Sequence, residues 1–302
     1  MKNRLRSPSK GTEKMWAKKW RWVVGLVVVG LVVPSAWAER EKGKKPKASA
    51  GAPDLGLKQP VGKLSRHPDF TEMMVRLEGG TFRMGSEEGA PDERPVHQVT
   101  LKPFWLDITE VTVAAYQACV AAGACSKPDE GTWCNWGKND WKDHPINCVD
   151  WEQATQFCRW ANKRLPTEEE WEYGARQGGR EGDRRYPWGD AEPSNQLCWN
   201  GEGNDVGKGG RQGTCPVGSY LMGNTPTRLR DMAGNVWEWT SSAYCPYTDS
   251  GYDVGKCGTS RILRGGSWYN YDAAWVRGAV RSWFTPSYRF YNVGFRCARG
   301  AI

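Results

Sequence analysis

Three stretches of the chain place apolar side chains at helical spacing. Residues 112–122 (TVAAYQACVAA) run from a capping hydroxyl, Thr112, to a glycine stop at Gly123, and so predict a helix. Residues 150–162 (DWEQATQFCRWAN) open on Asp150 with Gln153 three residues on, the pattern of a capping box, and put Trp151, Ala154, Cys158 and Ala161 on one face. In RLPTEEEWEYGAR, Thr167 is the cap, Glu170 reaches back, and Trp171, Gly174 and Ala175 turn inward. The acidic first turn suits the helix dipole, so these charges read as a cap and a solvated face, not a catalytic pair. Shorter apolar pieces predict strands: RMGS, QVTLKPFWLDITEV, VGSY, ILRGGSWY and NVGFRCA. Between residues 176 and 260 turn residues prevail. Few helices and short strands in long loops predict an α+β fold that needs staples, and 14 tryptophans after Ala38 supply most of its core.

The N-terminal segment has a different character. Residues 1–21 carry eight Lys/Arg against Glu13, an apolar run follows from Val23 to Val33, and PSAWA sets Ala36 and Ala38 at small-residue cleavage positions. That order predicts a signal peptide over 1–38, cleaved near Ala38, and export to a periplasmic, cell-envelope or secreted location; a retained anchor is the competing reading. Residues 39–66 hold eight Lys/Arg, three Asp/Glu and no aromatic residue, which predicts a flexible basic linker reaching to residue 68, with some attraction to an anionic membrane surface. The whole chain is +8, so the remainder, from His67 on, carries a net −4. The basic balance belongs to the leader and linker, and nucleic acid is excluded as a partner on that ground. Residues 69–302 show no linker-like break and predict one domain.

All ten cysteines follow the leader: Cys119, Cys125, Cys134, Cys148, Cys158, Cys198, Cys215, Cys245, Cys257 and Cys297. An even count in an exported chain points to complete pairing. Connectivity is not deducible from one sequence, but spacing suggests local loops Cys119–Cys125, Cys134–Cys148, Cys198–Cys215 and Cys245–Cys257, which leaves Cys158 and Cys297. No C-x-x-C occurs, so the zinc and redox patterns are missing.

Eight strings carry a family resemblance: LEGGTFRMG, TEVT, VDW, CRWANKRLPTEEEWEYGAR, YPWG, DMAGNVWEW, RGGSW and NVGFRCA. In this order they resemble the formylglycine-generating enzymes, or sulfatase-modifying factors, over about residues 70–300. The resemblance implies a C-type-lectin-like α+β fold low in regular structure, with Cys158 and Cys297 as the family's structural disulfide. It also implies copper held by two cysteines, a chemically sensible pair for a soft ion. Those positions are Asn270 and Trp275 here, neither of which forms a thiolate, so formylglycine synthesis by that route is not expected and copper is not expected as a cofactor.

A second branch of the superfamily uses iron on a histidine cluster. Three histidines, His67, His97 and His144, keep a metal-dependent oxidoreductase as an alternative, against the plainer reading of loop histidines. The resemblance further implies Ca²⁺ near GNVWEW: carboxylates of Asp231 and Glu238, main-chain carbonyls of Gly234 and Val236, with Glu110 and Asn195 matching further contacts. The competing reading is that Glu238 pairs with an arginine. GKGGRQGT departs from the family's other calcium loop.

Arginine and aromatic residues crowd residues 264–291. Arginine beside aromatics holds peptides, sugar carboxylates or sulfates. The candidate ligand-binding residues are Arg264, Ser267, Trp268, Asn270, Trp275, Arg277, Arg281 and Trp283. Against this stands the reading that each arginine stacks on a tryptophan and pairs with an acidic helix. The leading expectation is a binding module for a peptide, glycan or protein ligand, with a redox enzyme or an accessory interaction subunit as the other two.

Overall fold

The computed structural model describes residues 73–176, 184–201 and 211–300. The predicted leader, the linker and His67 lie outside the described residues.

Eleven short strands form four sheets among the described residues. Strands β1 (Met74–Leu77), β2 (Gly80–Met84), β3 (His97–Leu101) and β4 (Phe104–Asp107) precede the helices, which are α1 (Val113–Ala121), α2 (Trp151–Trp160) and α3 (Glu168–Arg176). Then come β5 (Trp237–Ala243), β6 (Tyr247–Thr248), β7 (Gly251–Tyr252), β8 (Arg261–Arg264), β9 (Ser282–Phe284), β10 (Val293–Gly294) and β11 (Ala298–Gly300). One sheet has the order β1-β4-β11 and another β10-β5-β8-β9, with hairpins β2-β3 and β6-β7 beside them.

The three helices start where the caps predict. Thr112 accepts from Ala115 N at 3.1 Å. Asp150 and Gln153 form a reciprocal capping box. Thr167 N donates to Glu170 while Glu170 N donates to Thr167, closing the same motif on α3. Each satisfies donors that a helix start leaves orphaned.

Two expectations need correction. VGSY (217–220) is a turn and not a strand. Strand β5, read only as a loop motif, is the longest strand described and an inner strand of its sheet; alternation is hidden because both of its faces are covered, leaving WEWT entirely buried.

Two apolar clusters form the core. One joins α1 and α2 to Trp239, Leu263 and Phe295; the other joins β1, β2 and β4 to Trp171, Leu229 and Met232. Each fully buried large side chain contributes about 1.5–3 kcal/mol. Five disulfides staple the loops, pairing as spacing suggested and joining Cys158 to Cys297 across 139 residues. No cysteine among the described residues is free.

Candidate functional site

The turn after β8 shapes the centre of the predicted groove. Gly265 and Gly266 both have positive φ, 97° and 74°, and a Cβ on Gly266 would stand 2.4 Å from the Trp275 carbonyl oxygen. Only glycine permits that approach. It packs the turn against the segment that carries Trp275. Ser267, fully buried, then meets Asn270: the Ser267 N–H and hydroxyl both donate to Asn270 Oδ1, at 2.8 and 2.9 Å. Asn292 Nδ2 donates to the same hydroxyl at 3.3 Å.

A second loop locks this turn in place. Asp231, Gly234 and Asn235 all have positive φ, and a Cβ on Gly234 would lie 2.5 Å from Cys198 O. Asn235 then bonds three partners: its N–H to Cys198 O, its side-chain oxygen to Cys215 N–H, and its carbonyl to Trp268 N–H. The Cys198–Cys215 disulfide is thereby tied to the GGSW turn.

Two arginines of the region, Arg264 and Arg281, are interior, and a third, Arg277, is half-buried. Arg264 is fully buried, donates to Glu172 and to Val280 O, and lies over Trp171 at 5.4 Å. Arg281, 3% exposed, chelates Glu168 at 2.7 and 3.0 Å and sits 3.9 Å over the Tyr247 ring. Arg277 grips the fully buried Glu93 at 2.6 and 2.8 Å. Burial pushes the Glu172 carboxyl up, and Arg264 and Arg176 together more than reverse it, leaving it below its ordinary range. One expectation is corrected: Glu168 and Glu172 are no solvated face, because α3 turns them into the arginines. For Arg264 and Arg281, candidate ligand contacts, the geometry is that of the competing reading, buried arginines paired with an acidic helix. Ser267 and Trp268 are likewise buried.

Of the expected contacts, Trp275 and Arg277 line a cleft of about 480 Å³, together with Glu93, Arg176 and Arg185. Trp275 is 42% exposed. Trp283 stands apart, stacked on Tyr244 at 4.1 Å.

The carboxylates near GNVWEW divide into two kinds. Glu238, fully buried, accepts from Arg296 Nε and Nη2 at 2.7 and 2.8 Å and from Trp171 Nε1 at 2.8 Å. The competing reading, an arginine pair, is therefore the geometry of Glu238. Asp231 accepts from Gly218 N–H. Glu110, buried, has no hydrogen-bond partner on either oxygen. Burial first, and then the charge of Asp231, hold its carboxyl well above the ordinary range; burial likewise raises Asp231 against the pull of Gly218 and Arg296. Calcium takes hard oxygen ligands, and since the Glu238 oxygens are taken by Arg296 and Trp171, Glu110 and Asp231 are the carboxyls of the expected set that would hold it. Gly234 and Val236 are buried in the same loop, whereas Asn195 is exposed. Among the described residues no group of three or more His, Cys, Asp and Glu side chains is placed to hold a metal.

The two described histidines stand in different surroundings. His97 contacts Pro95 O and the Tyr247 ring. His144 contacts Thr214 and stacks on Trp141. Neither His97 nor His144 belongs to a group of three or more His, Cys, Asp and Glu side chains among the described residues.

Sequence reasoning missed Glu93 and Trp133. Glu93 sits in a polar loop with nothing to mark its burial. Trp133 lies over Trp268, ring centroids 5.8 Å apart, through a loop 135 residues earlier. The spacing of Glu168 and Glu172, four apart and on the side of Trp171 and Ala175, was the signal that those two face inward.

Residues 60–301 match the family described as FGE-sulfatase, the sulfatase-modifying factor enzyme 1-like domain. The chain is 36% identical to the formylglycine-generating enzyme of Streptomyces coelicolor, over 84% of this chain and 97% of that protein. It is 33% identical to the inactive Cα-formylglycine-generating enzyme 2 of Bos taurus, over 76% of this chain and 89% of that one. The structure of PvdO from Pseudomonas aeruginosa is similar with a TM-score of 0.60 and 30% identity, over 76% of this chain and 94% of that one. The paired arginines, the GGSW turn and the stapled loops are thus those of a member of the formylglycine-generating-enzyme family, to which this chain belongs.

Proposed function

We propose that the chain is an exported, calcium-bearing binding module of this family, without formylglycine synthase activity, that holds a peptide or glycan against the groove around residues 264–291. The observation that carries this reading is the Asn270 amide. It stands three residues after Ser267, where the resemblance places a copper-ligating thiolate, and its oxygen is spent on the Ser267 N–H and hydroxyl. The second thiolate position is an indole, Trp275. Soft-metal redox chemistry has no ligands there. The relative called inactive in Bos taurus supports a family member of this kind. Five disulfides support an oxidising compartment. Calcium, held by Glu110 and Asp231, would rigidify the loop behind the GGSW turn.

The test is incubation of the full chain with a cysteine-containing sulfatase-type peptide, copper(I) and oxygen, read by mass spectrometry. No formylglycine is expected. Turnover of that peptide would sink the reading, and stoichiometric copper or iron in the purified protein would bring the oxidoreductase reading forward.

A further inference from the structure

An aromatic ladder crosses the surface beside the GGSW turn. Trp133 lies on Trp268 at 5.8 Å, Trp268 on Tyr291 at 5.6 Å, Tyr291 on Phe290 at 4.3 Å, Phe290 on Tyr288 at 5.2 Å and Tyr288 on Phe284 at 4.0 Å. Tyr269 closes edge-on against both Trp268 and Tyr291. Trp268 is the buried base. Trp133, Tyr269, Phe284 and Phe290 remain 36–44% exposed. So much contiguous exposed aromatic surface marks an interaction site, since single exposed apolar residues need no explanation but joined ones do.

The ladder is held rigid from beneath. The Cys134–Cys148 disulfide fixes the loop that carries Trp133. The Asn147 amide nitrogen donates to both Trp133 O and Tyr291 O, at 3.0 and 2.6 Å, and Cys148 N–H donates to Phe290 O at 3.0 Å. One loop turn therefore sets the spacing of rings that are far apart in sequence. A rigid platform loses little entropy on binding.

The arginine between its rings is internally compensated. Arg289, the one arginine within the run from Tyr288 to Tyr291, gives its guanidinium to Asp129 and Asp150, at 2.6–2.9 Å. Burial raises the Tyr291 hydroxyl to about 12 and raises Tyr288, so both stay neutral phenols. The platform thus offers ring surface and hydroxyl groups, with the Arg289 charge already paired.

We infer that this ladder, with Trp133 and Tyr269 as its two principal contacts, is the binding face for a neutral glycan chain. This rests on the proposed binding role and names its ligand class. Pyranose rings present C–H edges that pack on the electron-rich faces of aromatic rings, and their hydroxyls exchange hydrogen bonds with phenols. A charged ligand would find its counter-charge at Arg289 already taken.

The test is a printed array of neutral and anionic oligosaccharides, and a peptide array beside it, probed with the full chain. The strongest neutral oligosaccharide is then titrated calorimetrically. Binding of neutral oligosaccharides is expected, weakened about tenfold or more by Trp133→Ala and by Tyr269→Ala, and unchanged by Val254→Ala. Raising NaCl to about 0.5 M should leave it within about twofold. The inference is overturned by binding confined to anionic glycans, by affinity that both variants retain, by binding that salt abolishes, or by capture on phosphatidylcholine vesicles in place of glycans. Peptide binding without glycan binding overturns this inference alone and leaves the proposed function standing; formylglycine formation overturns the proposed function.

Discussion

Asn270 accepts both the main-chain N–H and the hydroxyl of Ser267, at 2.8 and 2.9 Å, and so serves as the clasp of the turn it follows. Ser267 is fully buried, so neither donor finds water if the clasp is removed. Asn270→Ala is expected to lower stability by about 1–3 kcal/mol, read by chemical denaturation. Asn270→Asp keeps the acceptor and should retain most of it. Equal stability of all three proteins would show that the clasp carries no weight.

Glu172 gathers Arg264, Arg176 and the Gly85 N–H at a site without solvent. Glu172→Gln leaves two guanidinium groups short of their counter-charge and is expected to cost about 3–5 kcal/mol. The exposed pair Arg76–Glu78 is the contrast: Glu78→Gln should stay within about 0.5 kcal/mol. Similar losses in both variants would contradict the burial argument.

His144 is held near pH 4, below its usual 6.5, chiefly by burial. Between those values the unfolded chain binds a proton that the native protein does not, so this residue makes stability fall as pH drops from 6.5 to 4. His144→Asn should remove that part of the pH dependence. The check is the difference in unfolding free energy between parent and variant across the window; a flat difference would refute it.

Glu110 and Asp231 supply the calcium test. Calcium should raise the thermal midpoint of the parent, and chelation should reverse the gain. Glu110→Gln is expected to erase the calcium effect while Glu238 keeps its pair with Arg296. A parent whose midpoint ignores both calcium and chelator would rule out the site.

Local signals carried the helices and failed on the ion pairs. Thr112, Asp150 and Thr167 mark helix starts by chemistry confined to three residues, so a sequence window contains the whole cause. The partners of Arg264 and Arg281 lie 92 and 113 residues away, and nothing local distinguishes a buried guanidinium from an exposed one. Strand β5 was obscured because a strand covered on both faces loses alternation. In the candidate site, Asn270 and Trp275, at the positions that the resemblance assigns to thiolates, were legible because the GGS turn sets the count. Trp133 was not, since only the Cys134–Cys148 loop and Asn147 bring it to Trp268.

The last strands of the chain complete its first sheet. Residues 298–300 pair with β4, Val293 and Phe295 fill a core begun by Val111 and Tyr116, and Cys297 bonds Cys158. A polypeptide made from its N-terminus onward cannot close that core until its final residues emerge. A chain truncated before Val293 lacks the β11 pairing, Phe295 and the partner of Cys158 together, and should leave no native remainder.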